Sequence, residues 1–111
     1  MNSAQTPPAA RLSSQLLAQE PDLREVVEAF VRGLDARLAE FRQAYERLDW
    51  PLLTSLAHRL KGAGGSYGYP QISQACAEME QNFRARQADE FASWIAQLTE
   101  LSAAARAGLN L

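Results

Sequence analysis

The chain has 111 residues and nearly balanced charge, Lys+Arg 11 against Asp+Glu 13, for a formal net charge of −2. That length closes one hydrophobic core without metal or disulfide staples, and a lone Cys76 beside a lone histidine excludes an intrachain disulfide and a Cys/His metal cluster. No basic stripe points to nucleic acid, no polybasic cluster to an anionic membrane, and no apolar run approaches the ~20 residues that span a bilayer.

The start, MNSAQTPPAA, lacks the charged and apolar regions of a signal peptide. The expectation is a cytoplasmic, monomeric domain over residues 9–111. Residues 1–8, polar and carrying Pro7 and Pro8, read as a disordered tail. A short helix with Leu12, Leu16 and Leu17 follows and ends before Pro21.

From Asp22 onward, Leu23, Val27, Phe30, Leu34, Leu38, Phe41, Tyr45 and Leu48 recur in steps of three or four, one stripe on a long helix. Gly33 is the place for a kink or a split, with both halves still facing one core. Asp49-Trp50-Pro51 restarts the chain, since Asp49 can cap and Pro51 suits a first turn. The next stripe is Leu53, Leu56, Leu60, Ala63 and Tyr67, and Gly68 stands where a glycine closes a helix. Pro70 opens a helix carrying Ile72, Cys76, Met79 and Phe83, and a last one carries Phe91, Trp94, Leu98, Leu101 and Ala105. With no alternating strand pattern, the spacing predicts an all-α fold, an antiparallel up-down-up-down four-helix bundle with a short additional N-terminal helix covering one end. Trp50 and Trp94 read as core or helix-end residues and Cys76 as a small buried hydrophobe. Tyr67 is expected to pack inward and Tyr69 to form an exposed rim contact.

The stretch AHRLKGAGGSYG, residues 57–68, holds the only histidine and four of the six glycines. Each glycine inside a helix costs about 0.5–1 kcal/mol relative to alanine, so something must offset the loss. At about 100° per residue, His58 lies almost opposite the stripe from Leu53 to Tyr67. It shares the outer face with Pro51, Thr54, Ser55, Lys61, Gly62 and Gly65, whereas Gly64 points more toward the core and permits close helix–helix approach. Gly62 and Gly65 leave a shallow, backbone-lined surface one and two turns beyond an exposed imidazole. With an unperturbed pKa of about 6.5, that ring keeps a nucleophilic nitrogen at neutral pH. Lys61, at i+3, brings an ammonium to anything anionic attached there. These residues suggest a histidine that exchanges phosphate on an open surface where another protein docks; the competing reading is a surface histidine without a role, its glycines marking tight packing alone.

At these positions the sequence resembles the histidine-containing phosphotransfer (HPt) domains of two-component phosphorelays. Their motif, a histidine, an apolar residue two later, Lys-Gly, and a glycine ten after the histidine, is matched by His58, Leu60, Lys61, Gly62 and Gly68. Leu56-Ala57, Asp49-Trp50, and Ile72, Cys76 and Met79 are similar as well. The helix pattern resembles the family over residues 22–101 and the motif over residues 49–83. The resemblance implies that His58 is the phosphoacceptor at the ring nitrogen farther from the backbone. It further implies that Lys61 contacts the phosphoryl oxygens and that Gly62 leaves room for a receiver domain. Some members carry Glu or Gln 22 residues after the histidine, where it orients the ring; that position is Glu80, at the edge of its helix's apolar stripe, and a solvated charge is the competing reading there. The docking face implied is Gly62, Gly65, Thr54 and Ser55, with Val31 a weaker candidate. The partners implied are response-regulator receiver domains and a sensor or hybrid histidine kinase. No cofactor is expected on this chain, and Mg²⁺ is expected in the receiver.

Autonomous kinase activity and ATP binding are not expected. Arg59 stands where a kinase dimerisation helix has an acidic residue, and Gly62–Gly68 fits neither GxGxxG nor a P-loop. The alternative is a helical adaptor that binds a partner through the His58/Gly62/Gly65 face without chemistry.

Overall fold

The computed structural model describes residues 10–111, and the tail expected over residues 1–8 lies outside the described residues. The described residues are helical, with no strand among them. The elements are α1 (Gln15–Gln19), a single 3-10 turn (Pro21–Leu23), α2 (Arg24–Arg32), α3 (Leu34–Glu46), α4 (Trp50–Ser66), α5 (Pro70–Arg84) and α6 (Phe91–Leu109).

The expected long helix is split at Gly33. Its N–H is shared between the carbonyls of Ala29 and Phe30, 3.1 Å each, and its backbone stays right-handed, so one stripe continues across the break. Val27, Phe30 and Val31 of α2 and Leu34, Leu38, Phe41 and Ala44 of α3 all enter the same core. Val31 is fully buried and so cannot serve a docking surface. The stripe also ends earlier than the spacing predicts. Ala44 takes the last core position, while Tyr45 and Leu48 are exposed. Tyr45 instead stacks on Phe91 of α6, ring centroids 4.0 Å apart and nearly parallel at 4°.

Asp49 caps α4, its side chain accepting from the Leu52 N–H at 3.1 Å, with Pro51 in the first turn. At the other end Gly68, φ +89°, reverses the chain: Tyr69 N–H bonds Gly64 O at 2.8 Å and Gly68 N–H bonds Gly65 O at 3.2 Å. This is the Schellman closure, in which the residue after the left-handed position folds back onto the helix it leaves. Tyr69 occupies that position, which corrects its expected place on the rim: it is fully buried and stacks on Phe30 at 6.1 Å. Tyr67 packs on the other side of the turn, half-buried, 4.7 Å from the Phe30 ring.

The N-terminal segment lies across this end of the molecule. Ser14 caps α1 by accepting from Leu17 N–H at 3.2 Å and donates to Tyr67 O at 2.7 Å, while Gln15 N–H bonds Gly68 O at 2.8 Å. Leu12 precedes α1 rather than riding on it, and its N–H bonds Ala104 O of α6 at 2.9 Å. Trp94 and Cys76 are buried as expected; burial pushes the Cys76 thiol up to about 12, against a smaller opposing effect of Arg37.

The most extensive interface is between α4 and α5. Gly64 sets their separation: a Cβ there would lie 3.0 Å from Ile72 Cγ2 and 3.1 Å from the Ser73 nitrogen. This close approach brings the outer edge of α5 up to the histidine face of α4. No helix of the described residues is long and apolar enough to cross a membrane.

Candidate functional site

His58 sits in the middle of α4 with its side chain 64% exposed. The wheel places it opposite Leu53, Leu56 and Leu60, all of which are buried, so its exposure follows from the helix period. Gly62, one turn on, would bring a Cβ within 4 Å of nothing, and at Gly65 the nearest atom would be Ser73 Oγ at 3.8 Å. The bare backbone at these two positions therefore serves no internal packing and leaves open surface beside the imidazole. Gly64 is the opposite case, consumed by the α4–α5 contact.

Thr54 and Ser55 lie on the same face, half-buried, and both hydroxyls have internal partners. Thr54 Oγ1 donates to Trp50 O at 2.8 Å, and Ser55 Oγ accepts from Arg59 Nε and Nη2 at 3.3 and 3.1 Å. Gly68, assigned to a turn, forms it.

Glu80 is brought to the histidine. Its Oε2 lies 3.1 Å from His58 Nδ1, and its Oε1 lies 2.7 Å from Lys61 Nζ. The side chain is 6% exposed, so the competing reading of a solvated charge does not hold. A buried carboxylate ordinarily resists ionisation, yet here hydrogen bonds from Lys61, Arg84 and His58 outweigh the burial and hold Glu80 down at about 2. An ionised carboxylate only accepts hydrogen bonds. In the neutral ring the nitrogen facing it is therefore the protonated one, and Nε2 carries the lone pair. Lys61 is engaged by Glu80 rather than extended into solvent.

Arg84 is the residue that sequence reasoning missed. Its Nη2 lies 2.6 Å from Glu80 Oε2, one turn along α5. The i, i+4 spacing of Glu80 and Arg84 was readable as a helical ion pair, but only the fold shows that this pair joins the histidine.

Comparison with curated proteins and with solved structures returns no match. A family model described as Hpt domain matches residues 25–108, a span running from α2 through nearly all of α6 and containing the His58 cluster. The chain belongs to the Hpt domain family.

Proposed function

We propose that the protein is a phosphorelay intermediate that accepts a phosphoryl group on His58 and passes it to an aspartate of a receiver domain. Membership of the Hpt family supports histidine phosphotransfer in general. The observation that carries the assignment to His58 is the 3.1 Å contact between its Nδ1 and the ionised Glu80, which in the neutral ring favours the Nδ1–H tautomer and leaves the Nε2 lone pair of an exposed side chain for attack.

In the accepting step the Nε2 lone pair attacks the phosphorus of an aspartyl phosphate. The N–P bond forms as the P–O bond to the aspartate breaks, and its electron pair returns to the carboxylate. The ring becomes cationic, with its Nδ1 proton still donated to Glu80, so the carboxylate offsets the new positive charge. The donating step is the reverse, with the aspartate of a second receiver as nucleophile. Lys61 would turn to the phosphoryl oxygens, and Gly62 and Gly65 would let the receiver approach the ring. Receiver domains, with their Mg²⁺, and a sensor or hybrid kinase are the partners this reading requires. The short connections between α3, α4, α5 and α6 support the antiparallel up-down-up-down arrangement for the bundle that displays the site.

The test is transfer from phosphorylated receiver domains, followed by intact mass and site mapping under alkaline conditions. Wild type is expected to gain one phosphate on His58, and His58→Gln, equally folded, none. A folded wild type that takes no phosphate from any receiver of its genome would favour the adaptor reading instead.

A further inference from the structure

Arg84 enters the reading above only by helping to keep Glu80 ionised, yet it shares an oxygen with the central contact. The two oxygens of Glu80 divide the site. Oε1 meets Lys61 at 2.7 Å, whereas Oε2 meets both His58 Nδ1 at 3.1 Å and Arg84 Nη2 at 2.6 Å. No other ion pair to Glu80 occurs among the described residues: α4 supplies His58 and Lys61, α5 supplies Arg84, and α6 supplies none.

The two cations differ in kind and in placement. Lys61 is a point charge on a flexible stem, on the helix of the histidine and one turn beyond it. Arg84 presents a planar fork from the helix of Glu80 itself, with Glu80 N-terminal to it, the favoured order for an i, i+4 pair. A phosphoryl group on Nε2 brings close to two negative charges. Lys61 is the cation positioned to leave Oε1 and meet them. Were it the only partner of Glu80 besides the ring, its departure would leave the buried carboxylate held through the single Nδ1 hydrogen bond, free to swing about it and out of line with the ring.

We propose that Arg84 is a positioning residue that keeps Glu80 on His58 Nδ1 in both the free and the phosphorylated protein, which releases Lys61 to switch between Glu80 and the phosphoryl group. This rests on the phosphoacceptor reading of His58.

The test is ¹⁵N NMR of the ring nitrogens in the full, untagged chain, where both signals belong to His58, the only histidine, and their two-bond couplings to the ring C–H protons tell Nδ1 from Nε2. In the neutral ring, wild type and Lys61→Ala are both expected to show the Nδ1–H tautomer. Arg84→Ala is expected to show a mixture, and Arg84→Lys to restore the wild-type pattern. Phosphorylation by phosphoramidate, a small donor that needs no receiver, is expected to slow about tenfold in Arg84→Ala through loss of ring orientation. A wild-type tautomer in Arg84→Ala, or equal disturbance by Lys61→Ala, overturns the proposal. Failure of phosphoramidate to modify wild type would instead overturn the phosphoacceptor reading, with the tautomer comparison still deciding the role of Arg84.

Discussion

His58 Nδ1 lies 3.1 Å from Glu80 Oε2, across 22 residues of sequence and between two helices held close by a glycine. The contact joins an exposed ring to a buried carboxylate. In the proposed transfer the ring would supply reactivity because it faces solvent, and the carboxylate orientation because it does not. Each half of the pair depends on which edge of its helix it occupies.

The ionised state of Glu80 predicts a pH-dependent stability. Its pKa is lowered on folding to about 2, chiefly by Lys61 and Arg84. A carboxylate lowered in this way stabilises the fold above its unfolded value of about 4.3. That contribution is lost as pH falls from there through about 2. Glu80→Gln removes it, so the variant is expected to be less stable at pH 7 by about 1–3 kcal/mol. Urea unfolding at pH 7, 4 and 2.5 checks this, because the gap between wild type and variant should narrow steadily with acid. A gap of constant size would mean that the carboxylate is not held ionised by its neighbours.

Gly62 and Gly64 are two residues apart and predict opposite responses to alanine. At Gly62 a Cβ meets nothing within 4 Å, so Gly62→Ala should stabilise the helix by about 0.5–1 kcal/mol. At Gly64 the Cβ would press on Ile72 and on the Ser73 backbone at 3.0–3.2 Å. Overpacking of that kind costs about 1–3 kcal/mol, more than the propensity gained. Gly64→Ala should therefore destabilise, and by parting α4 from α5 it should weaken the His58–Glu80 contact. Thermal unfolding of both variants tests the opposed signs. A larger residue at the open position, Gly62→Gln, is expected to leave stability near wild type while reducing transfer from a receiver by tenfold or more; unchanged transfer would remove Gly62 from the docking face.

Much of this was legible because the histidine face is periodic. The positions of His58, Gly62 and Gly65 follow from the stripe of Leu53, Leu56 and Leu60, and residues 57–68 stand out by holding the only histidine and four of the six glycines. From the wheel Glu80 was legible only as a register, an edge with no named neighbour, and the family resemblance supplied His58 as that neighbour. Arg84 was not legible, because its membership depends on the α4–α5 separation that Gly64 permits. Tyr69 was misplaced for a related reason. A residue after a helix has no periodicity to read, and its burial comes from the turn that folds it back.

The helix ends carry the same lesson and the last prediction. α3, α4 and α5 all close with the same pair of hydrogen bonds around a left-handed residue: Asp49 N–H to Ala44 O at 3.0 Å, Tyr69 N–H to Gly64 O at 2.8 Å, and Gln87 N–H to Asn82 O at 2.9 Å. Only the middle one uses glycine. The others place Leu48 at φ 49° and Arg86 at φ 56°, where a side chain costs about 1–2 kcal/mol. Leu48 is also exposed, so it gains little burial in return. Leu48→Gly is therefore expected to stabilise the protein by about 1 kcal/mol, a rise in Tm of roughly 4 °C for a domain of this size. Arg86→Gly should act in the same direction. Gly68→Ala should do the reverse and more strongly, by about 2 kcal/mol or more. There the left-handed backbone coincides with the close approach of Ser14, Gln15 and Leu16, so an added Cβ would also push the N-terminal segment from the end of α4. Calorimetry on the three variants decides the point: a loss of stability in Leu48→Gly would mean that its side chain makes contacts worth more than the strain of its backbone.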